Sequence, residues 1–142
     1  SLSAAIDNSR KDQTLNTPAL ATIVMAERQV RWLLERGGMD TVSAHCAQAS
    51  SLIYDWAEAN LAARPFVDNP AWRSPVTATI EINEAASVSE LAAHLRARGI
   101  VDIGAYRGVG TNQLRIGTWP SVEVDDVEAL LACIDYCLER VL

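Results

Sequence analysis

Two arginines flank a glycine-containing segment in the last third of the chain. Arg107 and Arg115 stand at its two ends, and Tyr106 precedes the first of them. A guanidinium binds carboxylate and phosphate groups through two parallel hydrogen bonds, so the pair suits the two ends of a small dianion. Arg115 also interrupts an apolar run, which projects its side chain from one face of a predicted strand toward an anionic partner. The alternative is that both are surface arginines paired with the chain's abundant carboxylates.

A second candidate site is the run Asn16-Thr17-Pro18, which precedes a long apolar segment. Proline suits the first position of a helix and threonine suits the N-cap, so the run predicts a helix that starts here. Backbone N–H groups, a hydroxyl and a side-chain amide would then meet at the positive end of the helix dipole, which favours phosphate. The alternative is an ordinary capped helix that binds nothing.

The chain contains eleven arginines but a single lysine, Lys11, which lies in a polar run near residue 1. A lysine that forms a Schiff base usually sits in a desolvated pocket or beside a fixed cation that lowers its pKa. A strongly hydrophilic stretch does not suggest such a pocket. We therefore expect no lysine-based covalent catalysis from this chain alone.

Composition argues against several classes of partner. The formal net charge is −6 over 142 residues, and nucleic acids and anionic membranes need clustered cations instead. No apolar run approaches the roughly 18 residues of a membrane helix, and no signal peptide is predicted. Three cysteines without a C-x-x-C spacing fit neither a disulfide framework nor a zinc site, so we expect no metal and a reducing, cytoplasmic setting.

Apolar periodicity and turn residues predict the elements that would position these side chains. Residues 1–15 are expected to be irregular, and residues 64–75 are expected to form a connection without an element of its own. Helices are predicted over residues 17–37, 39–61, 91–98 and 124–141, and strands over residues 76–82, 100–103 and 113–119. Two long helices followed by β-α-β-β-α indicate an α+β (α/β) fold in which helices cover one face of a small sheet.

Three segments of the chain, in register, resemble bacterial phosphoserine aminotransferases. They are residues 16–22 (Asn-Thr-Pro-Ala-Leu-Ala-Thr), residues 32–38 (Trp-Leu-Leu-Glu-Arg-Gly-Gly), and the end from residue 99 through Asn-Gln-Leu-Arg-Ile at 112–116 to Asp-Asp-Val at 125–127. The similarity runs over essentially the whole chain and corresponds to the C-terminal part of such an enzyme. It implies that residues 1–37 hold the end of the large domain with an interface helix, and that residues 38–142 form the C-terminal small domain of a class V, fold-type I aminotransferase.

The resemblance also implies an activity. Such enzymes are cytoplasmic homodimers that use pyridoxal 5'-phosphate to exchange an amino group between glutamate and 3-phosphohydroxypyruvate in serine biosynthesis. In the family, the residues matching Asn16 and Thr17 reach the cofactor phosphate across the dimer. By position, Arg107 would bind the substrate phosphate or the distal carboxylate of glutamate, and Arg115 would bind the α-carboxylate. The family's Schiff-base lysine would precede Ser1, so no catalytic residue is expected in the chain, and the chain alone is expected to be inactive.

Two departures from the family pattern bear on substrate identity. Many members have histidine where this chain has Tyr106, which donates a hydrogen bond but carries no charge. Some relatives place lysine or arginine in the segment that is uncharged here between residues 108 and 111. The competing hypotheses are a free-standing α+β module that senses an amino acid through its two late arginines, and a purely structural domain whose helices form an interface.

Overall fold

The computed structural model describes residues 1–106 and 112–140. The chain divides into two compact units, residues 1–39 and residues 40–142. Arg107, one of the two predicted substrate-binding arginines, lies outside the described residues.

The first unit contains helices α1 (Leu2–Ser9) and α2 (Leu20–Glu35). The prediction that residues 1–15 are irregular is wrong, because Ser1 caps an eight-residue helix by accepting a hydrogen bond from the Ala4 N–H. Helix α2 ends where the sequence predicted: Gly37 and Gly38 follow it with φ of 99° and 76°, a backbone conformation that favours glycine.

The second unit is built on an antiparallel sheet of three strands in the order β1-β2-β3: β1 is Ala63–Pro65, β2 is Thr77–Ile82 and β3 is Gln113–Gly117. Helix α3 (Gly38–Ala59) precedes the sheet, α4 (Val88–Arg96) connects β2 to β3, and α5 (Val124–Arg140) follows β3. A short 3₁₀ helix, Pro70–Trp72, lies between β1 and β2. This architecture confirms the predicted α+β class.

One face of the sheet packs against helices α3, α4 and α5. Strand β2 alternates half-buried and buried residues, so Ala78, Ile80 and Ile82 all point into the core. Residues without exposed surface occupy the facing positions of the helices and of β3: Ala49, Ile53, Leu91, Leu114 and Ile134. Because the helices cover only this face, every second residue of β2 and β3 points to the other side of the sheet.

The order of elements differs from the predicted β-α-β-β-α arrangement and is β-β-α-β-α. Strand β1 was missed because it is three residues long, ends in Pro65 and lies in a segment with three prolines, which predicted a connection. Its backbone pairs antiparallel with β2, so that Arg64 faces Glu81. The tract from residue 64 to 75 therefore begins with an edge strand and also contains the 3₁₀ helix.

The strand predicted over residues 100–103 is absent from the described part of the chain. Asp102 adopts a left-handed conformation with φ of 62°, which ends an extended run. A single contact of strand type remains, in which the Arg115 N–H donates to the Ile103 carbonyl at 2.9 Å. Helix α4 begins three residues before the predicted start at residue 91, with Ser87 as its N-cap, and Gly99, whose φ is 88°, lies beyond its end.

Candidate functional site

The side of the sheet away from the helices carries five polar side chains, here called the polar face: Arg64, Thr79, Glu81, Gln113 and Arg115. The strand register sets them in rows. Arg64, Glu81 and Gln113 are directly opposite one another across the three strands, and Thr79 is directly opposite Arg115. An ion pair between Arg64 and Glu81 occupies one end of this surface. The sequence predicted that Arg115 would project from one sheet face, and alternation along β3 produces this orientation.

Two of the predicted site residues, Arg115 and Tyr106, are in contact. The guanidinium carbon of Arg115 lies 4.7 Å from the centroid of the Tyr106 ring. At this distance the positive guanidinium is attracted to the negative face of the ring. Among the described residues, the Arg115 guanidinium contacts this ring and pairs with no carboxylate. It therefore remains available for an anion.

A depression of about 360 Å³ opens over this stack, lined by Tyr54, Trp72, Thr79, Tyr106, Gln113 and Arg115. Its volume falls within the range of small-molecule sites. Burial raises the pKa of the Tyr54 hydroxyl, while the nearby Arg73 cation and the hydrogen bond to the Ser74 carbonyl act in the opposite direction. Tyr54 therefore stays protonated at neutral pH and donates to that carbonyl at 3.1 Å.

Sequence reasoning missed Asn112, which begins the described chain after residue 111. Its Nδ2 donates to the carbonyls of Ile82, Asn83 and Ala86 at 2.8–3.0 Å, and its Oδ1 accepts from the Val88 N–H at 2.9 Å. One side chain thus ties the start of β3 to the turn between β2 and α4. A lone asparagine in a loop carries no signal from which these partners, about thirty residues away, could have been found.

Asn16 and Thr17 lie in the first unit, in the connection between α1 and α2, and both are exposed. The predicted helix start is wrong: α2 begins at Leu20, its N-cap is Ala19, and no side chain caps it. The Leu20 N–H instead donates to the Pro18 carbonyl at 2.9 Å, which forms a tight turn before the helix. Both residues therefore present exposed donor groups three to four residues before the first residue of α2.

The remaining candidate groups lie elsewhere in the described part of the chain. Lys11 is exposed in the turn after α1. Within residues 1–106 and 112–140, no group of three acidic, histidine or cysteine side chains is arranged to hold a metal ion. In the same part of the chain, no helix is both long and apolar enough to cross a membrane.

Helix α2 buries none of its residues, and Leu20, Met25 and Leu34 are each about two-thirds exposed.

Comparison with known proteins identifies clear relatives. A Mycolicibacterium vanbaalenii protein, provisionally named a phosphoserine aminotransferase, is 49% identical over 140 residues, which are 99% of this chain and 38% of that protein. The phosphoserine aminotransferase of Rhodococcus jostii is 45% identical over 140 residues, again 99% of the chain and 38% of the relative. The chain therefore spans little more than a third of the length of these relatives. No protein-family model matches it.

Solved structures share the fold. A phosphoserine aminotransferase from Bacillus circulans superposes with a TM-score of 0.78 at 27% identity, over 86% of this chain and 33% of that one. A phosphoserine aminotransferase from Cytophaga hutchinsonii superposes with a TM-score of 0.79 at 20% identity, over 96% of this chain and 36% of that one. The small sheet with its helices is thus a recurrent part of a larger architecture.

Proposed function

Since the chain belongs to the phosphoserine aminotransferase family, we propose that it is the C-terminal part of an enzyme that transfers an amino group between glutamate and 3-phosphohydroxypyruvate. The observation that carries the proposal is the Arg115 guanidinium, which lies in a depression of suitable size, rests on an aromatic ring and pairs with no carboxylate of the described residues. A carboxylate is the ligand that such a guanidinium binds best.

In this proposal Arg115 binds the α-carboxylate that all substrates share. Tyr106 holds the guanidinium in place from one side, and the sheet supports it from below. Arg107, outside the described residues, binds the second anionic group, which is the phosphate of one substrate and the distal carboxylate of the other. Two arginines, one for each anionic group, would accept both dianions in turn, as transamination requires.

Pyridoxal 5'-phosphate is the cofactor of the proposed enzyme, and the residues present fit one end of it. The exposed amide of Asn16 and hydroxyl of Thr17 are hydrogen-bond donors suited to its phosphate, and we propose that they serve the site of a second subunit. The single lysine, Lys11, is exposed in a turn, which is a poor environment for a Schiff base with the cofactor's aldehyde. When bound, the cofactor supplies the electron sink that transamination needs. The covalent chemistry therefore falls to a part of the enzyme outside this chain.

The homodimer is part of the proposal and is supported by the surface of α2. Six large apolar side chains of this helix are more than half exposed: Leu20, Ile23, Val24, Met25, Val30 and Leu34. An apolar surface of this kind is characteristic of a face that is covered in an assembly. A cytoplasmic setting, expected from the cysteines, also belongs to the proposal. Cys46, Cys133 and Cys137 are all free thiols.

The proposal is tested by completing the enzyme. The chain is fused to the part of the Rhodococcus jostii relative that it does not match, and L-phosphoserine and 2-oxoglutarate are supplied with the cofactor. We expect the fusion to transaminate and the chain alone to be inactive. Replacing Arg115→Gln in the fusion should raise the KM of both substrates about 10- to 100-fold, since a charge-assisted bidentate contact is lost.

A visible cofactor absorbance band in the chain alone, lost on Lys11→Ala, would overturn the assignment of the covalent chemistry to another part of the enzyme. An active fusion whose KM values do not change on Arg115→Gln would remove Arg115 from the substrate site. A fusion that shows no turnover, although it folds and binds cofactor, would count against the aminotransferase itself.

A further inference from the structure

Gln113 is buried, yet its side-chain oxygen has no hydrogen-bond partner among the described residues. The buried polar residues of the described chain are Ser50, Gln113 and Thr118. The hydroxyls of Ser50 and Thr118 donate to backbone carbonyls, at 3.1 and 2.8 Å respectively. Gln113 is only 3% exposed, and its Oε1 accepts no hydrogen bond. Because an unpaired buried acceptor destabilises the folded state, this oxygen requires a donor.

Two charged side chains flank Gln113 on the polar face. Glu81 is directly opposite it on β2, where paired side chains are close enough to interact. Glu81 is ion-paired with Arg64, and its Oε2 is a second buried acceptor without a hydrogen bond in the described part of the chain. Arg115 is two residues farther along β3, so its side chain leaves the same face of the sheet about 6–7 Å from Gln113. The Gln113 amide therefore has a carboxylate on one side and a guanidinium on another.

These two charges decide how the Gln113 amide is best oriented. The oxygen and nitrogen ends of a glutamine amide have nearly the same shape, and a half-turn about the last side-chain bond exchanges them. With Nε2 toward Glu81 and Oε1 toward Arg115, the amide donates to the carboxylate and accepts from the guanidinium. In the opposite orientation, the oxygen faces the carboxylate and the N–H groups face the cation. Only the first orientation provides a hydrogen bond for both buried acceptors, and it aligns the amide dipole with the neighbouring charges.

We propose that Gln113 is a positioning residue that connects the Arg64–Glu81 ion pair to Arg115 and fixes the direction of its guanidinium. The proposal rests on the carboxylate role of Arg115 proposed above. A guanidinium has five N–H donors, so one bond to Oε1 leaves the pair of N–H groups that a carboxylate needs. Amino acid and oxo acid carry the same carboxylate, so the link serves both directions of the transfer equally.

Gln113 and Tyr106 would restrain the Arg115 guanidinium in different ways. The Tyr106 ring contacts its face, whereas Oε1 of Gln113 would hold its edge and prevent rotation in the plane of the group. A guanidinium that is already oriented loses less conformational entropy when a ligand binds, and this increases the affinity.

The first test needs no ligand. In the 142-residue chain labelled with ¹⁵N, NMR reports whether a guanidinium rotates, because a held group gives separate Nη signals and a rotating group gives averaged ones. We expect separate signals for Arg115 in the wild type and averaged signals in Gln113→Met, which keeps the length of the side chain but has no amide. Arg140 lies 5.6 Å from the Tyr136 ring and should give averaged signals in both proteins. Gln48→Met, on the exposed side of α3, is the matched control and should leave the Arg115 signals unchanged.

The second test adds ligands. L-phosphoserine and 3-phosphohydroxypyruvate are titrated separately into each protein, and the Arg115 side-chain signal is followed. Gln113→Met should raise the dissociation constants of both ligands about fivefold and by the same factor, since a hydrogen bond that orders Arg115 is lost. Gln113→Glu should raise both further, since its carboxylate pairs with Arg115 in place of the ligand.

The outcomes separate this inference from the proposed function. Averaged Arg115 signals in the wild type, or separate signals that persist in Gln113→Met, would overturn the link whether or not a ligand binds. If the separate signals are lost in Gln113→Met but Arg115 responds to neither ligand, the link stands and the carboxylate role of Arg115 fails. If Gln113→Met does not fold, the comparison of Arg115 with Arg140 in the wild type still decides, and unchanged ligand binding in Gln113→Glu would also contradict the link.

Discussion

Replacing Tyr106 by leucine should weaken anion binding at Arg115 although the arginine itself is untouched. The Tyr106 ring lies 4.7 Å from the guanidinium carbon and limits the conformations of a long, flexible side chain. Without the ring, Arg115 has to be ordered by the ligand, and the entropy of that ordering is subtracted from the affinity. Leucine keeps an apolar side chain but has no π-face.

The exposure of the ring sets the size of the effect. Cation–π contacts contribute about 0.5–1 kcal/mol at exposed sites and about 2 kcal/mol when they are desolvated. Tyr106 is 56% exposed, which places the contact in the lower range. A loss of about 1 kcal/mol corresponds to an approximately fivefold increase in the dissociation constant of L-phosphoserine. Tyr106→Phe keeps the ring and should lose less affinity than Tyr106→Leu, because the hydroxyl is not what contacts Arg115.

The chain offers a matched control for this experiment. Tyr136 lies over Arg140 with 5.6 Å between guanidinium carbon and ring centroid, and it is 57% exposed. Tyr136→Leu removes a similar stack outside the depression, so the NMR-derived dissociation constant should not change. If Tyr106→Leu binds L-phosphoserine as tightly as the wild type, or if Tyr136→Leu weakens binding equally, the Tyr106 ring does not order Arg115 for the ligand.

Three further substitutions test the framework around the site. Asn112→Ala removes four hydrogen bonds and should lower the free energy of unfolding by about 2–4 kcal/mol in urea titrations, whereas Asn69→Ala, which removes a single exposed cap, should lower it by less than about 1 kcal/mol. Ser87→Ala removes the N-cap of α4 and should cost about 1 kcal/mol in the same assay; an unchanged unfolding midpoint would contradict the cap. Because burial raises the pKa of Tyr54 above 10, the folded state binds its proton more tightly than the unfolded state, so this contribution to stability is complete below pH 10 and is lost as pH rises through the raised value. Thermal melts across alkaline pH should therefore show a smaller loss of stability in Tyr54→Phe than in the wild type, and parallel curves would refute this.

The sequence predicted the elements with strong periodicity and missed those whose stability comes from contacts distant in the chain. The apolar stripe of α5 and the alternation in β2 repeat often enough to identify a helix and a strand. Strand β1 has three residues and a terminal proline, so its only support is the pairing with β2. The extended residues around Ile100 looked like a strand, but the left-handed Asp102 prevents a ladder, and aspartate adopts that conformation too rarely for it to be predicted.

The helix start before α2 failed for a local reason. Thr17 and Pro18 are favoured residues at a helix N-terminus. The Leu20 N–H, however, donates a hydrogen bond to the Pro18 carbonyl in a tight turn, so the helix starts after this turn and Ala19 is its N-cap. Residue preferences describe averages over many helices, and one competing hydrogen bond is enough to move the boundary by two residues. The proposed role of Asn16 and Thr17 does not depend on the capping argument, because both side chains remain exposed donors in the connecting segment.

At the candidate site, the alternation of side chains along a strand could be predicted from the sequence, whereas the register between neighbouring strands could not. Alternation along β3 was enough to predict that Arg115 leaves the core, because a strand has only two faces. Which side chains surround it depends on the register between strands and on the path of the chain before β3. Register places Thr79 opposite Arg115 and Glu81 opposite Gln113, and the backbone at Tyr106 brings a ring over the guanidinium. The same alternation puts Gln113 on the face of Arg115, but only the structure reveals that Gln113 is buried and that its side-chain oxygen accepts no hydrogen bond.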